Sequence, residues 1–302
     1  LRPYGEPLKT PTSLLQALGK CLCVLMVLAL LLPAPAEAAT RGDSEILLDV
    51  PQGKMRVLLH KPGRFTPESP VLIVIHGVKR DAERYRDNWR DIADEHDALL
   101  IVPEFTSVMW PKSWGYNLGN IRSSAGAPIP RENWSFTALE RAFDAAVAAT
   151  GSRRTGYSLY GHSAGAQFVH RFVTFTGAPR VEQAVAANAG WYTLPQDDTA
   201  FPYGLGGVRI TAETLRQAFT TPLTILLGEE DTDTGSRWLR RTPEALMQGP
   251  HRFSRGHFYF EAAEGAAAEN GVKLQWQLVT VPGVGHSNAG MASAAARILL
   301  AR

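Results

Sequence analysis

The chain has 302 residues, 45% of them hydrophobic and 20% charged, with a formal net charge of +2 at neutral pH. That length allows one large domain or two small ones, and the composition is ordinary for a soluble globular protein. A balanced charge without a dense Lys/Arg stripe argues against nucleic acid as a partner, and "RWLRR", Arg237 to Arg241, reads as a solvated face or rim rather than a phosphate-binding patch.

Near the N-terminal end, Lys20 precedes "CLCVLMVLALLL", which runs into "PAPAEAATRG". A charged flank, a short apolar run and a small-x-small site at Ala36-Glu37-Ala38 are the parts of a secretory signal peptide. The run falls short of the roughly twenty residues that cross a bilayer. Residues 1–38 are expected to be an export leader and residues 39–302 a single domain, periplasmic or secreted, with no stable membrane anchor after cleavage. An uncleaved N-terminal anchor is the alternative. Cys21 and Cys23 both fall in the leader, so the exported chain is expected to lack disulfides and to depend on core burial.

Beyond the leader, "EILLDV" and "KMRVLLH" flank "PQG" as a hairpin. "SPVLIVIHG" reads as a buried strand ended by Gly77, and "DAERYRDNWRDIADEHD" as a helix with Tyr85, Trp89, Ile92 and Ala93 on one face. "ALLIVPEF" is a second buried strand. After a loop rich in Gly, Pro and Trp, "WSFTALERAFDAAVAAT" is a helix, "GYSLYG" a strand and "AGAQFVHRFVTFT" a helix. "VEQAVAANAG", "PLTILLGEED" and "QWQLVTVPGVGH" are further strands; "HFYFEAAEGAAAEN" and "AGMASAAARILLAR" are helices. Alternating strands and helices, the strands apolar on both faces, predict an α/β fold with a mostly parallel sheet covered on both sides.

"YGHSAGA", Tyr160 to Ala166, sets Gly-His-Ser-Ala-Gly between a strand and a helix. Reactive groups in such sheets lie beyond the carboxyl ends of strands. A strand that turns directly into a helix holds its central residue in a strained conformation, and Gly161 and Gly165 leave room for the neighbouring backbone. Ser163 is therefore a candidate nucleophile. Its hydroxyl needs a base, and the base needs an orienting acid. "TILLGEEDTDTG" supplies Asp231 just past a strand, with Asp233 its main competitor and Glu229 and Glu230 weaker ones. The spacing of this acidic run does not fit an EF-hand calcium loop. "VPGVGHSNAGM" supplies His286 after the last strand. His162 is expected to point away from the reaction and His170 to pack within its helix, while His60, His96, His251 and His257 lie on remote elements.

An oxyanion needs two donors. The Ala164 N–H, just after the serine, and the Val78 N–H, in the loop after "VLIVIHG", are the candidates. In "TSVMWPKSWGYNLGNIRSSAGAPIP", Trp110, Trp114 and Tyr116 are expected to line a substrate pocket and Asn117 to hydrogen-bond the ester; the alternative is that the aromatics cover the sheet edge.

From "VLIVIHG" through "YGHSAGA" and "LLGEED" to "VGHS", the chain resembles the α/β-hydrolase superfamily. It is most similar to the exported serine esterases that include polyhydroxybutyrate-depolymerase-like and feruloyl-esterase-like enzymes. The resemblance implies an eight-stranded sheet and a Ser-Asp-His triad on Ser163, Asp231 and His286. It also implies hydrolysis of small-molecule or oligomeric carboxylic esters through an acyl-enzyme, with no metal or organic cofactor. Peptide or amide cleavage on the same triad, and a non-catalytic binding protein on the same fold, are the alternatives.

Overall fold

The computed structural model describes residues 41–301; the expected leader, with Cys21 and Cys23, lies outside the described residues. The first two strands, β1 (Gly42–Val50) and β2 (Gly53–Lys61), pair antiparallel across Pro51-Gln52, as the hairpin pattern predicts. They are followed by β3 (Val71–Ile75), β4 (Leu99–Pro103), β5 (Tyr157–His162), β6 (Val181–Ala187), β7 (Leu223–Gly228) and β8 (Gln277–Val281). The sheet order is β1-β2-β4-β3-β5-β6-β7-β8, and every pairing from β4 to β8 is parallel. The strand order reverses between β3 and β5, where crevices for ligands open in such sheets.

The helices are α1 (Ala82–Glu95), α2 (Lys112–Gly115), α3 (Ser135–Thr150), α4 (Ala164–Thr176), α5 (Ala212–Thr220), α6 (Pro243–Met247), α7 (Arg252–Glu269) and α8 (Asn288–Leu299). Alternate residues of the central strands feed two separate cores. Ile73, Ile101, Leu159 and Ile225 pack under α3, α4 and α7. Leu72, Leu100, Tyr160 and Leu226 pack under α1 and α8. The period of two that defines a strand therefore fills both faces with apolar side chains, each worth roughly 1.5–3 kcal/mol when fully buried.

Two elements differ from the sequence reading. The segment Ala212–Thr220 is helical, begun by Thr211, whose hydroxyl accepts the Thr214 N–H at 3.0 Å. Helix α7 starts at Arg252, five residues ahead of the apolar run, because the His251 ring accepts the Ser254 N–H at 3.2 Å as an N-cap. That extra turn carries Arg252 toward the end of β7. Among the described residues no helix is long and apolar enough to cross a membrane.

Candidate active site

Ser163 occupies the junction of β5 and α4 with φ 59° and ψ −114°, a left-sided conformation that a non-glycine residue holds only under constraint. The constraint comes from close packing on both sides. A Cβ on Gly161 would run into the Gly165 carbonyl, and a Cβ on Gly165 would run into the Ile75 carbonyl. The Ser163 N–H donates to the Ala187 carbonyl at 2.9 Å, which fixes the turn to β6.

The Ser163 hydroxyl lies 3.0 Å from His286 Nε2, and His286 Nδ1 lies 2.7 Å from Asp231 Oδ2. A buried carboxylate at this distance accepts a proton from Nδ1, which leaves Nε2 as the acceptor of the serine O–H. The competing carboxylates are engaged elsewhere. Asp233 Oδ1 accepts the Gly235 N–H at 2.7 Å, Glu229 Oε1 accepts the Thr280 hydroxyl at 2.7 Å, and Glu230 faces solvent. Among the described residues no group of three His, Cys, Asp or Glu side chains could hold a metal ion.

Two partners absent from the sequence reading hold this line in place, and a third residue lies beside it against expectation. Arg252, itself buried, donates to Asp231 Oδ1 at 3.2 Å, on the oxygen that His286 leaves free. Asn188, immediately after β6, accepts the Gly228 N–H at 2.8 Å and donates to the Gly285 carbonyl at 3.0 Å. One side chain thus ties the start of the Asp231 loop to the residue before His286. The third is His162, which faces the site rather than away from it. Its ring centroid is 4.7 Å from that of His286, and burial, then the neighbouring His286 and Arg252, hold it well below the usual histidine range. It therefore lies neutral beside the His286 ring.

Among the described residues neither the Val78 nor the Ala164 N–H donates to a backbone carbonyl, and both residues border the cavity at Ser163. The loop carrying Val78 is braced from below. His76 Nε2 accepts the Phe105 N–H at 3.0 Å, so the ring is protonated on Nδ1, while the Tyr116 hydroxyl donates to the His76 carbonyl at 2.5 Å. Arg80, at φ 61°, donates to the carbonyls of Phe105, Trp110 and Lys112, and its guanidinium lies 3.8 Å over the Tyr116 ring.

These contacts correct the expected substrate pocket. Trp110 and Tyr116 are fully buried in the core around Phe105 and Phe168 rather than set on a cavity wall. Trp114 packs on Phe201 at 5.9 Å, away from both openings at the serine. Asn117 alone of the four reaches a cavity beside Ser163, where its amide donates to Gln167 Oε1 at 3.0 Å. Cavities of about 430 and 400 Å³ flank the serine, both within the size range of ligand sites. Val78, Ser163 and Trp238 border both cavities. His286, Lys79, Asp81, Arg84 and Asn88 line the first alone, while Ala164, Gln167, Trp191 and Arg240 line the second alone.

No family model and no curated protein matches the chain. Solved structures do. Poly(aspartic acid) hydrolase-1 from Sphingomonas sp. KT-1 is 42% identical, over 86% of this chain and 99% of that one, with a TM-score of 0.84. LpqC, a poly(3-hydroxybutyrate) depolymerase from Bordetella parapertussis, is 37% identical over 85% of this chain and 90% of that one, with a TM-score of 0.81. The Staphylococcus aureus serine hydrolase FphF is 16% identical over 85% and 97% of the two chains, at a TM-score of 0.52, and shares the fold alone.

Proposed function

The chain belongs to the α/β-hydrolase family, as a hydrolase related to poly(3-hydroxybutyrate) depolymerase and poly(aspartic acid) hydrolase, and from that premise we propose that it cleaves carboxylic esters through a covalent intermediate on Ser163. The observation that carries this reading is the unbroken line from Ser163 Oγ through His286 to Asp231, at 3.0 and 2.7 Å.

As the serine oxygen attacks the ester carbonyl carbon, its proton passes to His286 Nε2. The carbonyl π pair moves onto oxygen, where the Val78 and Ala164 N–H groups receive it; one such donor is worth roughly 2.7–4 kcal/mol of barrier. The carbonyl then re-forms, the C–O bond to the alcohol breaks, and His286 returns the proton to the departing oxygen. Water, deprotonated by the same nitrogen, repeats the sequence on the acyl-enzyme and frees the acid and Ser163. Asp231 stabilises the imidazolium in both halves without taking its proton.

Amide cleavage is the second reading, favoured by the 42% identical relative, a hydrolase of poly(aspartic acid), which is a polyamide. A p-nitrophenyl hexanoate assay alongside a matched p-nitroanilide tests both. The ester reading expects a burst of one equivalent of p-nitrophenol per chain followed by steady turnover, with the anilide much slower. Faster release from the anilide would replace it with the amide reading, and turnover of neither would contradict both. Export from the cell is part of the same proposal, resting on the segment from Lys20 to Ala38.

A further inference from the structure

The two cavities at Ser163 are not equivalent, because His286 opens onto one and the helix start at Ala164 onto the other. Given the esterase reading, on which this inference rests, the departing oxygen must sit where His286 Nε2 can reprotonate it. The leaving group therefore projects into the cavity of Lys79, Arg84, Asn88 and His286. The acyl carbon stays on the serine beside the Ala164 N–H, so its chain extends into the cavity of Asn117, Gln167, Trp191 and Arg240.

The charges in the acyl-side cavity are one-sided. Arg237, Arg240 and Arg252 are its charged lining residues, with no Asp or Glu among them. Arg252 is committed to Asp231. Neither Arg237 nor Arg240 lies within ion-pair reach of a carboxylate among the described residues. Arg240 is nonetheless held in place. Its Nε donates to the Tyr203 hydroxyl at 2.6 Å, and its guanidinium lies 5.0 Å from the Trp191 ring, which Arg171 approaches at 4.2 Å. In the other cavity Arg84 is paired with Asp81 at 2.6 Å and Lys79 is a solvent-exposed ammonium, so the cation there that is fixed in place already has its carboxylate. A fixed guanidinium with free donors on a wall without carboxylates is suited to an anion.

We propose that the Asn117–Gln167–Trp191–Arg240 cavity receives the acyl part of the substrate and that Arg240 pairs with a carboxylate carried on that acyl part. The substrate class is thus an ester whose acid component is a dicarboxylate or a segment of an anionic chain, with the leaving group on the His286 side. No new bond is involved beyond those of the hydrolysis above.

Three esters separate the possibilities: p-nitrophenyl hexanoate, mono-p-nitrophenyl adipate with a carboxylate at the end of an acyl chain of equal length, and p-carboxyphenyl hexanoate with the carboxylate on the leaving group. Ratios of kcat/KM taken within one preparation cancel differences in the folded fraction. The adipate-to-hexanoate ratio is expected to fall at least tenfold in Arg240→Gln and to recover in part in Arg240→Lys. The ratio of the two hexanoate esters is expected to move less than twofold. In the unaltered protein, raising NaCl from 50 to 500 mM should lower the adipate ratio, because screening weakens a partly exposed charge pair. An adipate ratio indifferent to both substitution and salt overturns the proposal, as does a loss that falls on p-carboxyphenyl hexanoate instead. Wild-type protein that turns over none of the three contradicts the esterase reading itself, a separate failure.

Discussion

Asp231 divides its two oxygens between a permanent cation and a titratable ring: Arg252 Nη1 is 3.2 Å from Oδ1, and His286 Nδ1 is 2.7 Å from Oδ2. The carboxylate is only 1% exposed, so neither partner is replaced by water. The guanidinium and the imidazole therefore hold one carboxylate from its two sides, one oxygen each, and together fix its orientation.

Removing that guanidinium is expected to cost both turnover and stability. In Arg252→Gln the Asp231 carboxylate keeps the His286 contact but loses the guanidinium that fixes its other oxygen, so kcat should fall tenfold or more. Stability should fall by about 3–5 kcal/mol, the usual result of leaving a buried charge with one partner fewer. Steady-state kinetics on one chromogenic ester tests the first effect and urea denaturation the second. An unchanged kcat would show that Arg252 only packs.

Asn188 should matter to turnover although it touches no substrate. Asn188→Ala leaves the Gly228 N–H and the Gly285 carbonyl without a side-chain partner. The buried Gly228 N–H costs about 1–3 kcal/mol when unpaired, and the half-buried Gly285 carbonyl less. The loops carrying Asp231 and His286 are then no longer tied together, so kcat should fall tenfold or more while KM changes little. Steady-state kinetics on one chromogenic ester reads both constants, and a change confined to KM would refute the positioning role.

His76 supplies a pH-dependent part of stability. Burial lowers its pKa from 6.5 to about 4. Between those values the unfolded chain binds a proton that the folded chain refuses. Stability contributed by the neutral ring is therefore complete above pH 6.5 and is lost as pH falls toward 4, by on the order of 3 kcal/mol in all. His162 and His170 act in the same direction. Urea midpoints from pH 7 to 4.5 should fall less steeply in His76→Gln than in the wild type; equal slopes would exclude the linkage.

The tryptophans near the site should separate by role. Trp110 is fully buried, and Trp110→Ala should cost about 3–5 kcal/mol of stability. Trp238 is 54% exposed on the wall between the two cavities. Trp238→Ala should change stability by no more than about 0.5 kcal/mol but alter kcat/KM for bulky esters. Thermal denaturation with ester kinetics on both variants makes the comparison, and a reversal of the two effects would place Trp110 rather than Trp238 on the pocket wall.

What was legible in the chain was whatever repeats locally. The alternation of strands and helices and the Gly-His-Ser-Ala-Gly turn are contiguous patterns, and each of Ser163, Asp231 and His286 follows a strand that could be read on its own. Arg252 and Asn188 were not legible, because they act across 21 and 40 residues through contacts that arise only when β6, β7 and α7 pack. The aromatic loop is ambiguous in sequence for a related reason. A Trp and Tyr cluster among Gly and Pro has the same composition whether it faces a cavity or the core, and here the tyrosine hydroxyl and Arg80 turn it inward beneath the Val78 loop.

Stoichiometric labelling with a fluorophosphonate, followed by peptide mapping, tests the central claim most directly. One phosphonyl group per chain is expected on the peptide containing Ser163, with loss of ester turnover in step with labelling and no reaction in Ser163→Ala. Label on another residue, or a Ser163→Ala protein that still turns over ester, would contradict the account.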